Sequence, residues 1–326
     1  MSTLQDMIAE LHEQLTAASP DDTDTAAKLH QRLGTLYADL SESENRQGNL
    51  HLAIEQYQKA LACYQTDDPR YPIVQNNLGT AYRALAMLTN QQANLNKAID
   101  AFDEAVSHGD PNHSPVDFMV ALNNLGNACW QLAEYENREQ NLQRAETAYR
   151  EAIRLIKPDE GPVAYATMHN NLGNIYVEIA RTDDPVGNLN NAITAYRQAL
   201  TQMQVREGPV PYATVQTNLA NAYRQLAHII EERSDEYLKR AVQAYQEALE
   251  IYSPTTTPSA YIMTRANLGL VYGEMQRWDD AIQSWHDAAG VASASGALQA
   301  AEQYRGWIRD ANEALAADAE EQSDDT

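Results

Sequence analysis

The chain has 326 residues and carries 46 acidic against 23 basic side chains, a formal net charge of −23. Such a surface repels nucleic acid and anionic membrane, so the expected partner is a protein or peptide, with no nucleic acid and no membrane. No run approaches the roughly 18 apolar residues of a membrane span, and MSTLQDMIAELHEQL lacks the basic start and continuous apolar core of a signal peptide, which points to a cytoplasmic location.

Residues 3 to 17 place Leu4, Met7, Ile8, Leu11 and Leu15 on one helical face, ended by Ser19-Pro20 and an acidic turn. Residues 1–22 are therefore expected to cap one end of whatever follows. From Thr23 the chain repeats itself. A leucine before a small residue recurs at Leu33, Leu78, Leu125, Leu172, Leu219 and Leu268, at intervals of 45, 47, 47, 47 and 49 residues. The unit shows most clearly in residues 165–200, where Leu172, Ile175, Tyr176 and Ile179 form one amphipathic stripe and Leu189, Ala192, Ile193, Tyr196, Ala199 and Leu200 a second. Pro185 and Gly187 break the helix between them, and Asn188 is placed to cap the second. Neither stripe can be buried alone, so each pair needs neighbours of its kind. Proline-containing joints (DDPRYP, HGDPNHSP, KPDEGP, REGPVP, SPTTTP) separate the pairs, since proline stops a helix yet is tolerated in its first turn. An aromatic follows most of them at a fixed offset, Tyr71, Phe118, Tyr165, Tyr212 and Tyr261, and reads as a packing wedge. Six units give the boundaries 23–67, 68–112, 113–159, 160–206, 207–255 and 256–290, with no boundary between larger domains. A closing helix is expected over 291–318, carrying Leu298, Ala301, Tyr304, Ile308 and Leu315, and a disordered acidic tail over 319–326. Cys63 and Cys129 lie in different repeats and read as small buried side chains in a reducing compartment, not as a disulfide.

These positions resemble the tetratricopeptide repeat (TPR) family. Leu78-Gly79, Tyr82, Ala98, Phe102 and Ala105 fit its pattern, as do Leu172-Gly173, Tyr176, Ala192, Tyr196 and Ala199, and Leu268-Gly269, Tyr272, Ala281, Trp285 and Ala288. The resemblance implies an all-α, right-handed α-solenoid of six helix-turn-helix repeats with a capping helix at each end. The aromatic is expected to fill the wedge between one pair and the next. The period near 47 exceeds the family's 34, which implies that both helices are longer. The last repeat returns to the ordinary spacing, with Gly269 to Ala281 at 12 residues.

Asparagine stands before the leucine at Asn77, Asn124, Asn171, Asn218 and Asn267, with a second before it at Asn76, Asn123 and Asn170, and again just past the small residue at Asn127, Asn174 and Asn221. Asparagine is a poor helix former, because its amide competes for backbone hydrogen bonds, so recurrence at one position calls for a local reason. The resemblance places these slots on a concave groove whose asparagines hold the main chain of a bound extended segment. A carboxamide offers both a donor and an acceptor to such a chain. The other reading has them bonding to one another and holding the repeats in register; both can hold together. Arg83, Trp130, Val177 and Arg224 continue that face one turn on, with Gln131, Glu178, Gln225 and Glu274 beside them. Lys28 and Arg32 make the groove begin basic, in slots where carboxylate-clamping members of the family place cations, so Lys28, Arg32 and Arg83 are candidates for receiving a carboxylate.

No catalytic motif and no cofactor site is read. The nearest thing to a metal cluster, His108, Asp110, His113 and Asp117, lacks a recognised ligand spacing. The expectation is a non-enzymatic scaffold that binds an extended polypeptide. Alternatives are a self-assembling structural protein, or a sensor component of a bacterial signalling or caspase-like protease system.

Overall fold

The computed structural model describes residues 3–19, 21–203 and 208–324. Pro20 and residues 204–207, the last two of which begin the REGPVP joint, lie outside them. The amphipathic stripes fold as helices throughout, and no strand occurs among the described residues. Although the sequence shows no larger boundary, the chain divides at 157/158 into two compact units.

The first unit begins with α1 (Leu4–Ala17), whose start is closed by a reciprocal Thr3–Asp6 capping box. Its Ile8 and Leu11 are buried against Leu33, Leu36 and Leu40, so α1 covers the apolar end of the first repeat. Three helical pairs follow: α2 (Thr23–Leu40) with α3 (Arg46–Cys63), α4 (Tyr71–Ala86) with α5 (Gln91–His108), and α6 (Pro115–Leu132) with α7 (Arg138–Leu155). The first helices also meet one another, α2 touching α4 and α4 touching α6. They therefore form a continuous face. The second unit repeats the plan with α8 (Pro162–Ile179) and α9 (Pro185–Gln202), α10 (Pro209–Ile229) and α11 (Ser234–Leu249), and α12 (Pro258–Glu274) and α13 (Trp278–Ala294), and α8 touches α10. Then α14 packs on α13, burying Ala301 and Ile308. It runs from Leu298 to Asp324, past the expected end at 318, through an Ala- and Glu-rich stretch with high helix propensity. The last two residues lie outside the described chain.

Five of the six repeats share one packing device. The ring of Tyr57, Phe102, Tyr149, Tyr196 or Trp285, from the second helix, lies directly on Gly34, Gly79, Gly126, Gly173 or Gly269 of the first helix of the same pair. The aromatic thus joins the two helices of one repeat, where the sequence suggested a wedge between repeats. Glycine is required because a Cβ there would enter the ring face. The joint aromatics are packed as expected: Phe118 is buried, and Tyr71 and Tyr212 are held by Gln75 and Gln216 (2.9 Å each) and by Glu104 and Glu247.

The turns inside the first four repeats carry a second device. Asn45, Asn90, Asn137 and Asp184, each just before the second helix, have φ of 35, 46, 44 and 32°, a left-handed conformation that asparagine and aspartate tolerate better than most residues. Four residues on, Asn49, Asn94, Asn141 and Asn188 donate Nδ2 back to the carbonyls of Glu44, Thr89, Glu136 and Asp183 at 2.7–2.9 Å. Asn188 is therefore not the cap. Asp184 is, accepting from the Gly187 amide at 3.1 Å, while Pro185 opens the helix and Gly187 lies within its first turn.

This turn also locates the extra length. Gly173 lies six residues before the end of α8 and Gly269 five before the end of α12, so the first helices match there. The connection is residues 180–184 in one case and 275–277 in the other, and Ala192 is seven residues into α9 where Ala281 is three into α13. The added residues between glycine and alanine thus make a wider turn and one more turn of the second helix, while the first helix is not lengthened on that side.

Candidate functional site

The asparagines fall on the face made by the first helices, and the structure ties them together within each unit. In the first unit Asn124 Nδ2 donates to Asn76 Oδ1 at 2.9 Å. In the second, Asn218 Nδ2 donates to Asn170 Oδ1 at 3.0 Å and to Asn174 Oδ1 at 3.2 Å. Asn76 and Asn170 belong to one repeat and Asn124 and Asn218 to the next, so these bonds cross from repeat to repeat. Amide–amide bonding in register is thus present for part of the set.

The asparagines past the small residue are held differently. Tyr149 donates its hydroxyl to Asn127 Oδ1 and Tyr196 to Asn174 Oδ1, at 2.8 Å each, and Tyr245 donates to Asn221 Oδ1. These are the buried rings of the packing device, with Ala220 in the glycine place for Tyr245. Burial holds all three phenols protonated, pushing their pKa far above the usual 10, so each stays a donor. With the oxygen engaged toward the helix pair, the amide presents its Nδ2 donors. Those of Asn127, Asn174 and Asn221 have no partner among the described residues, and none of them is a buried unpaired group. The face therefore offers donors at these positions, where the sequence alone suggested donor and acceptor together.

Asn77 lines an open hollow of about 290 Å³ between the first two repeats, with Thr35, Asp39, Thr80 and Ala84. Trp130 is half-buried on a first helix of the same unit, and Asn171 and Asn267 are half-buried on first helices of the second. Lys28 is exposed and paired with Asp24 at 2.6 Å, Arg32 is exposed, and only Arg83 is half-buried. Arg83 Nε is buried with no hydrogen-bond partner, and burial pushes its guanidinium pKa down. Arg224 is engaged instead by Glu274, through Nε at 2.8 Å and Nη2 at 2.5 Å, and His228 approaches the same carboxylate at 3.2 Å.

His108, Asp110, His113 and Asp117 line a cavity of about 260 Å³ at the joint between the second and third repeats, with Pro72 and Phe118 among its other walls. His113 Nδ1 pairs with Asp110 at 2.5 Å and His108 Nδ1 meets the Glu104 carbonyl at 3.0 Å. Among the described residues no group of three or more His, Cys, Asp or Glu side chains is arranged to hold a metal. Cys129 is buried and its thiol is pushed up to about 11, which keeps it protonated at neutral pH. No described helix is long and apolar enough to cross a membrane.

The sequence matches no protein-family model and no curated protein. Among solved structures, the chain is similar to the C-terminal part of a TPR repeat-containing protein from Cytophaga hutchinsonii, with 13% identity over 88% of this chain and 90% of that one and a TM-score of 0.58. It is also similar to an assembly chaperone of RpL4, with 13% identity over 89% of this chain and 99% of that one and a TM-score of 0.51. The fold is thus a TPR-like helical repeat array, as the Leu-Gly and aromatic positions implied.

Proposed function

We propose that the chain is a non-enzymatic protein-interaction scaffold whose first-helix face holds an extended polypeptide. The observation that carries this reading is the repeated tyrosine–asparagine bond, which fixes the amides of Asn127, Asn174 and Asn221 with their Nδ2 groups unpartnered. Rigid donors on neighbouring first helices, as Asn174 and Asn221 provide within the second unit, suit main-chain carbonyls, which every extended segment presents whatever its side chains. Asn77, Asn124, Asn171, Asn218 and Asn267 flank these positions, and the bonds of Asn124 and Asn218 keep neighbouring repeats in register for the ligand.

The test uses a displayed library of random dodecapeptides against the full chain, with recovered peptides measured on wild type and on Asn174→Asp and Asn127→Asp. A carboxylate still accepts from the tyrosine hydroxyl but replaces the donors with an acceptor. Binding should fall at least about tenfold, roughly 1.4 kcal/mol, with the melting temperature held. Equal affinities, or a library that enriches nothing, would overturn the reading.

A further inference from the structure

The residue three positions past the joint aromatic is buried in every repeat that has one: Val74, Ala121, Met168, Val215 and Thr264 follow Tyr71, Phe118, Tyr165, Tyr212 and Tyr261. Ala121 is the shortest side chain of the set, and it lines the hollow of about 260 Å³ at the joint between the second and third repeats. Ile73, Pro72 and Phe118 complete an apolar floor, and Gly109 packs so closely on the Phe118 ring that a Cβ there would stand 2.7 Å from Cδ2. The rim is acidic: Asp67, Asp110 and Asp117 line it, and no lysine or arginine does. We propose that this hollow receives a lysine or arginine side chain of the bound segment, its aliphatic stem on the floor and its charged end at the rim. The proposal rests on the first-helix face being a polypeptide-binding face and names a side chain that it selects.

Size, charge and position each support it. The volume lies just below the roughly 300 Å³ at which pockets for whole small molecules begin, so it suits one side chain. Basic side chains bury an apolar stem and keep the charge at its end in water, which matches a hollow with an apolar floor and a charged, open rim. A wholly apolar occupant would instead strip water from the carboxylates without replacing it. Asp110 is already met by the Asn112 amide at 2.8 Å and by His113, which hold its carboxyl below the usual range. Asp67 and Asp117 are exposed, and their carboxylates have no partner among the described residues, so both are available to a cation. Asn76 lines the same hollow and accepts Asn124 Nδ2 at 2.9 Å, so the hollow adjoins the asparagine face and a residue of the segment held there can enter it.

The δ1 methyl resonance of Ile73, assigned by its loss in Ile73→Val, reads the floor directly in the full chain at constant ionic strength. Nα-acetyl-lysine methylamide and Nα-acetyl-arginine methylamide present the two basic side chains, the norleucine analogue presents a stem without charge, and spermidine stands for a free polyamine. One or both basic derivatives should move the resonance saturably, and norleucine should bind at least about tenfold more weakly. Ala121→Val supplies the side chain that Val74 and Val215 carry at this place and should abolish the response with the melting temperature held. The double variant Asp67→Asn, Asp117→Asn alters only exposed positions and should weaken binding of the basic derivatives at least about tenfold. A resonance indifferent to both basic derivatives, one that norleucine moves as readily, one unchanged in Ala121→Val, or one that answers spermidine alone overturns the proposal. Peptides recovered from the dodecapeptide library should contain a lysine or arginine whose replacement by norleucine costs at least about tenfold in affinity on wild type and much less on Ala121→Val. Peptides without that dependence would sink the basic-side-chain site and leave the groove standing, whereas a library that enriches nothing would sink the groove while the methyl titration still decides for the hollow.

Discussion

The ring-on-glycine device makes a quantitative prediction, because two effects of similar size oppose each other when Gly173 is replaced by alanine. A Cβ at Gly173 would lie 2.5 Å from Tyr196 Cε1 and 2.7 Å from Cδ1. The ring cannot withdraw easily: Tyr196 is 2% exposed and its hydroxyl is bonded to Asn174. Overpacking of this kind costs about 1–3 kcal/mol, and displacing the hydroxyl from Asn174 adds about 1 kcal/mol. Against this, alanine gains about 1 kcal/mol over glycine in a helix interior. The strain wins, and Gly173→Ala should lose about 1–3 kcal/mol. The fifth repeat shows what alanine requires. There Ala220 and Tyr245 are 25 residues apart where Gly173 and Tyr196 are 23, and the connection contains an added 3-10 turn at Glu231–Arg233. In that wider hairpin the alanine is accommodated, so Ala220→Gly should also be destabilising, by about 1 kcal/mol of propensity alone. Urea unfolding followed by helical circular dichroism measures both. A Gly173→Ala protein stabilised by about 1 kcal/mol would refute the argument, since propensity would then be the only effect at work.

Asn94→Ala removes the donor to the Thr89 carbonyl and should cost about 1–2 kcal/mol; Asn94→Asp should cost more, because it sets an acceptor against that carbonyl, and urea midpoints will rank the two. Tyr196→Phe should cost about 1 kcal/mol and weaken binding of library peptides, as Asn174 loses the bond that orients it; stability lost with binding unchanged would show the orientation to be irrelevant. His169 is half-buried with neither ring nitrogen bonded, and burial lowers its pKa below the usual 6.5, so the folded state disfavours the charged ring. Its contribution to stability is therefore intact above about pH 6.5 and is lost as pH falls through that value toward the folded pKa. His169→Gln removes the titration and provides the residue type that bonds Tyr71 and Tyr212 in the other repeats, so its advantage over wild type in thermal melts should grow from pH 7 to pH 5.

The repeat was legible because packing imposes periodicity. Leu33, Leu78, Leu125, Leu172, Leu219 and Leu268 are all buried, and no other spacing brings them to one side of successive helices. The division of labour among the asparagines was not legible, although its signal was present. The pairs 45/49, 90/94 and 137/141, with Asp184 and Asn188, recur as regularly as the groove set, but a four-residue spacing near a helix start looks like ordinary capping until the left-handed φ of the first member is seen. Arg83 and Arg224 were harder still. Both follow the small residue by four positions, and local sequence gives no reason to separate them. What distinguishes them is the side chain five residues past a glycine one repeat later, Gln131 in one case and Glu274 in the other. For Arg224, only the approach of α12 to α10 makes that distant residue a neighbour. In a repeat protein the informative comparison is therefore between equivalent pairs across neighbouring repeats, because whether a charge is satisfied within the chain depends on a residue one repeat away, as Glu274 is for Arg224.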